Sequence, residues 1–310
     1  MNNLRITTAE LARLCSVSQG TVDRALNNRS GIKAETKERI LKTAAQYGFR
    51  GAVGNSKCAD ERTRQIGVIV FNLNNEYFCK LITEIEAACR EKGYTTLIMF
   101  TNYDKQHEIE CVRRMYSLGV EGIILCAVNS GPEFEKYLKA FDIPIVAVGN
   151  DIRSVPYIGV DDYAAMKEMT EYVLGGGLEA AERRCNMIYF SPAIQYEDAY
   201  AQKRRFEGFL AALPLGQPYS VITDIDKIRE EYPQGTVILC SNDYYALKVH
   251  FKTKGAVITG FDNIDILDKY RIPISSVAYS IEEIAGKALD CIVNKSCESQ
   301  TIAHYFVKRV

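Results

Sequence analysis

Along the chain the spacing of apolar positions changes character near residue 65. Before it, apolar residues recur at helical intervals in short bursts. Ala9, Leu11, Ala12 and Leu14 predict a first helix that stops near Cys15. Thr7-Thr8-Ala9-Glu10 opens it as a capping box, with Thr7 as the cap and Glu10 reaching back three residues later. Ser18 is a favourable N-cap for a second helix, Gln19 to Leu26, with Val22, Ala25 and Leu26 on its buried side. Ile40, Leu41, Ala44 and Tyr47 predict a third helix from about Ala34 to Tyr47, ended by Gly48. Three short helices with a tight turn between the first two predict a helix-turn-helix.

From Ile66 the pattern becomes apolar strands alternating with amphipathic helices. Strands are expected at Ile66–Phe71, Thr95–Phe100, Gly122–Cys126, Ile145–Val148, Ile158–Val160, Met187–Phe190, Ser220–Thr223, Val237–Leu239 and Val257–Thr259. Helices are expected at Phe78–Lys92, Gln106–Leu118, Pro132–Phe141, Tyr163–Leu174, Asp198–Leu213 and Tyr244–Phe251. Strands separated by helices make parallel, doubly wound sheets. Their number suits two lobes rather than one, with a ligand cleft at the C-terminal strand ends. The expected organisation is an all-α headpiece over residues 1–50, a linker over 51–64, and a two-lobed α/β domain over 65–310. Lobe 1 takes about 65–157 and 281–296; lobe 2 takes about 158–280 and 297–310.

Charge divides at the same place. The 310 residues carry a net charge of −1, but residues 1–64 hold twelve basic and six acidic side chains, so the remainder carries the acidic excess. A basic module is joined to an acidic one. No apolar run approaches the ~18 residues of a membrane span, and Met1–Ile6 is no signal peptide, so a soluble cytoplasmic protein is expected. The ten cysteines are scattered, with no Cys-x-x-Cys among them, and the three histidines lie far apart in sequence. Reduced core thiols are the reading, not a disulfide scaffold or a metal site.

The headpiece places Ser18, Gln19, Thr21 and Arg24 on the exposed side of the second helix, with Arg29, Lys33, Lys37, Arg39 and Lys42 within reach of flanking phosphates. Gln and Arg make bidentate contacts to adenine and guanine; hydroxyls and Lys position the module on the backbone. Double-stranded DNA is the expected partner, and a protein-binding three-helix bundle the alternative. In the larger domain, polar residues recur at strand ends: Asn72, Asn74-Asn75, Gly149-Asn150, Asp161-Asp162, Asn242-Asp243 and Asp262-Asn263, with Arg204-Arg205 on a helix nearby and Tyr77-Phe78 beside the first strand. Such a set suits a sugar or polyol, since each hydroxyl donates and accepts and an aromatic face covers the ring. Asp161, Asp198 and Asn242 are equally readable as helix N-caps. No nucleophile, base or metal cluster accompanies the Asp pair, and adjacent residues on an extended segment point to opposite sides. Gly175-Gly176-Gly177 lacks the Lys-Ser/Thr of a phosphate loop. No catalytic residue, metal or cofactor is expected.

Thr8-Ala9-Glu10-Leu11-Ala12, Val17-Ser18-Gln19-Gly20-Thr21-Val22-Asp23-Arg24-Ala25-Leu26-Asn27 and Tyr47-Gly48-Phe49 resemble the headpiece of the LacI/GalR family of transcriptional regulators. The likeness continues through Ile66-Gly67-Val68, Tyr157-Ile158-Gly159-Val160-Asp161, Arg205-Phe206-Glu207-Gly208-Phe209, Ser241-Asn242-Asp243 and Gly260-Phe261-Asp262-Asn263, and so spans the chain. The resemblance implies a helix-turn-helix headpiece followed by a type I periplasmic-binding-protein-like sensor domain. It implies base readout by Gln19, Gly20 and Arg24, phosphate contacts from Ser18, Thr21 and Asn27, and further DNA contacts at Thr8, Arg29 and Lys37. It implies effector binding by Arg205, Asn242 and Asp262, with Asn75, Tyr77, Phe78 and Tyr279 lining the cleft.

Three departures stand out. Gly149 replaces a usual Asp, with Asn150 as its expected substitute. The stretch from Asn242 to Gly260 is short. The linker Gly51–Cys58 lacks the Pro-Asn and lever Leu of a hinge helix, and two glycines cost such a helix about 1 kcal/mol each. The expected function is a repressor, as a homodimer on near-palindromic operator DNA, controlled by a small carbohydrate effector. No heptad extension follows Lys308-Arg309-Val310, which favours a dimer over a tetramer. The alternative is a regulator with a drifted cleft that answers to a protein partner or to no ligand.

Overall fold

A computed structural model describes residues 8–26, 29–46, 63–178, 186–195, 199–295 and 298–309. The chain divides into two compact units, Met1–Arg62 and Thr63–Val310. The expectations for Thr7, Asn27, Tyr47-Gly48, the Gly51–Cys58 hinge and Asp198 lie outside the described residues.

In the first unit, α1 spans Thr8–Leu14, α2 Gln19–Leu26 and α3 Ala34–Gln46. Leu11, Ala12, Cys15, Val22, Ala25, Ile40 and Ala44 form its core. So small a bundle buries only a narrow stripe of each helix, which leaves Leu14 and Leu41, both expected inside, 48% and 42% exposed. Ser16 turns the chain between α1 and α2 with φ +50°, and Val17 N–H returns to the Ala12 carbonyl at 3.0 Å.

In the second unit, β1 (Gln65–Val70), β2 (Thr95–Phe100), β3 (Gly122–Leu125), β4 (Ile145–Val148), β5 (Tyr157–Val160) and β11 (Gln300–Ile302) form one sheet. Its order is β11-β5-β4-β3-β1-β2, every pair parallel. The second sheet is built from β6 (Asn186–Phe190), β7 (Tyr219–Ile222), β8 (Glu231–Cys240), β9 (Lys254–Phe261), β10 (Ser275–Tyr279) and β12 (His304–Val307). Its order is β12-β10-β9-β8-β6-β7, parallel except for antiparallel β12 against β10. The helices are α4 (Glu76–Glu91), α5 (Lys105–Ser117), α6 (Pro132–Leu138), α7 (Asp162–Leu174), α8 (Tyr200–Ala212), α9 (Asp243–Lys252), α10 (Asp265–Lys269) and α11 (Ile281–Val293).

Strand β1 shows why these segments read as continuous apolar runs. Ile66, Val68 and Val70 pack with Leu81 and Ile85 of α4, while Ile69 packs oppositely with Val112 and Met115 of α5. Helices cover both faces, so neither face needs polar positions.

The chain passes between the sheets three times, after β5, after β10 and after β11. Two lobe limits therefore shift from the sequence reading. Tyr157 and Ile158 pair with β4, and residues 158–160 pair with residues 300–302, so both segments belong to the first sheet rather than to lobe 2. Strand-to-strand hydrogen bonding fixes these segments, and the switch falls at the strand–helix junction, where Asp161 caps α7 by accepting Ala164 N–H at 3.0 Å. The C-terminal third also contains β10, α10, α11, β11 and β12, which apolar spacing did not delimit. Between Asn242 and Gly260, α9 passes into β9 through Thr253 alone.

Candidate functional site

The headpiece presents one polar face. Gln19, Gly20 and Arg24 are exposed on α2, Thr21 is half-buried, and Val22 and Ala25 face the core. The Ser18 hydroxyl caps the helix, accepting Thr21 N–H at 3.2 Å and lying 2.9 Å from the Thr21 hydroxyl. Gly20 stands in open space: a Cβ there would meet only the Ser18 hydroxyl, at 3.8 Å. Arg29 donates to Asp23 at 3.0 Å; an exposed pair of this kind is worth about 0–1 kcal/mol and is readily exchanged for a phosphate. Thr8 is exposed at the start of α1, and Lys37 is half-buried on α3.

The second candidate site lies at the strand ends of the larger unit. Arg205 sits on α8, next to Phe206, which packs with Tyr189 and Phe209. It is 6% exposed, and each of its nitrogens has a partner. Nε donates to Asp162 at 2.7 Å, Nη1 to the Ser241 carbonyl at 2.6 Å and Nη2 to Asp262 at 3.3 Å. The guanidinium lies 3.6 Å from the centre of the Phe261 ring. Tyr279 donates to the same Asp262 oxygen at 2.8 Å, and Tyr77 of α4 meets the Tyr279 ring edge-on at 6.3 Å. Phe78 packs edge-on against Tyr77 and Phe71.

Asp262 carries the site's most unusual backbone. Its φ is +102°, followed by Asn263 at +49°, a left-handed path that costs a non-glycine residue on the order of 1–3 kcal/mol. Burial pushes the Asp262 carboxyl up to about 6, against the opposing pull of Arg205 and the Tyr279 hydrogen bond. The same cause raises Asp162 despite Arg205 beside it. Asp243, fully buried, is pushed up to about 8, first by desolvation and then by neighbouring Asp262. It accepts Ile264 N–H at 3.0 Å and the Ser276 hydroxyl at 2.8 Å. Gly260 is required here, because a Cβ would lie 1.9 Å from an Asp243 oxygen.

The structure thus gathers Tyr77, Arg205, Asp262 and Tyr279 around one network. Asn242 is joined to it through the neighbouring Ser241 carbonyl, and its own side chain caps α9, accepting Tyr245 N–H at 2.9 Å. Asn75 likewise caps α4, accepting Tyr77 N–H at 3.1 Å. Asn150 is apart from this network and bridges two backbones. Its amide donates to the Ala127 carbonyl at 2.7 Å and its oxygen accepts Ala201 N–H at 3.4 Å, so it does not simply stand in for a missing carboxylate. Asp161 is exposed and caps α7, while Asp162, the first residue of that helix, is buried.

Sequence reasoning named Asp162 among strand-end residues without giving it a role, though its place directly after the capping Asp161 was the available signal. Ser276 and Arg309 had no local signal. Among the described residues, no three His, Cys, Asp or Glu side chains are grouped as a metal site requires, and no helix is long and apolar enough to cross a membrane. The Arg205 guanidinium, the Asp162 and Asp262 carboxylates and the Tyr77, Phe261 and Tyr279 rings converge on one buried network.

Known proteins give a consistent picture. Residues 7–51 match the family model described as "Bacterial regulatory proteins, lacI family", and residues 63–268 match "Periplasmic binding proteins and sugar binding domain of LacI family". The catabolite control protein A of Priestia megaterium is 24% identical over 326 residues, covering 96% of each chain. A periplasmic binding protein/LacI transcriptional regulator of Alkaliphilus metalliredigens, solved with D-xylulofuranose, shares the fold with a TM-score of 0.65 at 21% identity, covering 79% of this chain and 98% of that one. The lac repressor dimer bound to operator and the anti-inducer ONPF reaches a TM-score of 0.67 at 14% identity, covering 98% of each.

Proposed function

The chain belongs to the LacI family of bacterial regulatory proteins, DNA-binding transcriptional regulators and not enzymes, and we propose that it is a repressor whose hold on operator DNA is set by a sugar or sugar derivative bound at the strand ends of residues 63–310. The observation that carries this reading is the buried Asp162–Arg205–Asp262–Tyr279 network. It lies where open α/β sheets take their ligands, outside the C-terminal strand ends. In this proposal Arg205, Asn242 and Asp262 hold effector hydroxyls, Tyr77, Phe78 and Tyr279 cover the apolar side of the ring, and Asn75 and Asn150 complete the rim.

On DNA, Gln19 and Arg24 read base edges. Ser18, Thr21, Asn27, Thr8, Arg29 and Lys37 position the headpiece on the backbone, and Gly20 leaves its base to be approached by main chain. Two copies of the chain set their second helices ~34–36 Å apart on a near-palindromic operator. Effector and operator are coupled by about 1–3 kcal/mol.

The test is thermal melting with a panel of sugars, polyols and sugar phosphates. A true effector stabilises by RT ln(1 + [L]/Kd), about 2.7 kcal/mol at a hundredfold excess over Kd. If no member of the panel raises the melting temperature, the network is self-satisfied and the regulator answers to a protein partner or to no ligand.

A further inference from the structure

The left-handed turn at Asp262 is held by several elements, and one of its supports comes from the far end of the chain. Asp262 N–H donates to the Val277 carbonyl at 3.0 Å, Asn263 N–H to the Ser276 hydroxyl at 3.1 Å and Ile264 N–H to Asp243 at 3.0 Å. Those bonds fix the backbone of the turn from β10 and from the start of α9. The Asn263 side chain is fixed separately, by Arg309.

Arg309 spreads its guanidinium over three partners. Nη2 donates to Asn263 Oδ1 at 2.7 Å, Nη1 to the Ile274 carbonyl at 3.1 Å and Nε to Asp268 at 2.8 Å. Its own backbone is anchored, the N–H donating to the Ser275 hydroxyl at 3.1 Å and the carbonyl accepting from that hydroxyl at 3.2 Å. The side chain is only 10% exposed. The three partners lie in the turn after β9, at the end of α10 and just before β10, so one planar fork ties together both sides of the 263–274 segment. A flexible ammonium cannot match such fixed, divergent donors.

We propose that Arg309 is a positioning residue for the effector site: by clamping Asn263 it holds the left-handed turn that points the Asp262 carboxylate at Arg205 and Tyr279. The inference rests on reading Asp262 as an effector contact, and its consequence is that the last strand and tail take part in setting effector affinity. It extends the site to a residue forty-seven positions beyond Asp262 in sequence. Burial raises the Asp262 carboxyl, so its titration reports whether the turn still keeps it from water.

The experiment needs no effector, so its failure is separate from failure of the sugar screen. Full-length protein is labelled with 13C-aspartate, the Asp262 side-chain signal is assigned by its loss in Asp262→Asn, and its titration is followed in wild type, Arg309→Met and Arg309→Lys. Wild type should titrate near 6. In Arg309→Met the turn relaxes, the carboxylate reaches water and the midpoint falls toward the ordinary Asp value, about 4. Arg309→Lys, which keeps the charge without the fork, should also fall. An unchanged midpoint in Arg309→Met, even with a lower melting temperature, would make Arg309 a tail anchor only. Full restoration by Lys would assign the effect to charge and overturn the clamp.

Discussion

Asp262 combines a left-handed backbone, near-complete burial and a carboxylate shared between Arg205 and Tyr279. Because burial raises its folded pKa to about 6, above the ordinary Asp value, the native state holds its proton more tightly than the unfolded chain does. That contribution to stability is fully present below the unfolded value and is lost as pH rises through about 6. Asp262→Asn cannot titrate. The melting-temperature difference, wild type minus variant, should therefore decline between about pH 4 and 6 and level off above; parallel curves would contradict the assignment. At Gly20 the logic is opposite, since nothing occupies the space a side chain would take. Gly20→Ala should stabilise the headpiece by roughly 0.5–1 kcal/mol through the unfolded state and helix propensity, read from denaturant melts of the full chain. Destabilisation there would mean that the glycine serves the backbone and not DNA access.

Among the elements, α7 and α8 lie close enough that Gly208 meets the Tyr163 carbonyl, where a Cβ would sit at 2.3 Å. Gly208→Ala should cost about 1–3 kcal/mol by forcing the helices apart; a cost below the error of a urea melt would show that the pair slides freely. In the headpiece, Arg24→Ala should relax base preference, losing roughly 1–3 kcal/mol on operator alone. Lys37→Ala should weaken all sequences alike and flatten the salt dependence. Identical sequence profiles for both variants would displace α2 as the reading helix.

These elements also mark how far sequence reaches. The bounds of α2, β2 and β4 were legible because caps and apolar runs are local signals, and Arg205, Asn242 and Asp262 were legible because they follow recognisable strand ends or motifs. The last passage between the sheets was legible only approximately, expected after residue 296 and found after residue 302. Residues 300–302 and 304–307 form separate strands only because different sheet edges await them, which is a tertiary fact. Arg309 was read as a chain end, since nothing local announces that its partners are Asn263, Ile274 and Asp268. Asn150 was read as a cleft residue because it follows β4, yet its amide is held at both ends by backbone groups that sequence does not bring near.

Over the whole molecule the opposite charges of the two modules divide the work, with a basic headpiece for phosphate and an acidic sensor that phosphate repels. In the proposed function one effector at the Arg205–Asp262 network governs operator affinity. Its most direct test is a titration of fluorescent operator DNA with wild type and Asp262→Ala, with and without each sugar of the melting panel. At least one sugar should change wild-type affinity by about 5–150-fold and leave Asp262→Ala unmoved, with both proteins binding operator equally in its absence. No response in wild type, or the same response in the variant, would contradict the account.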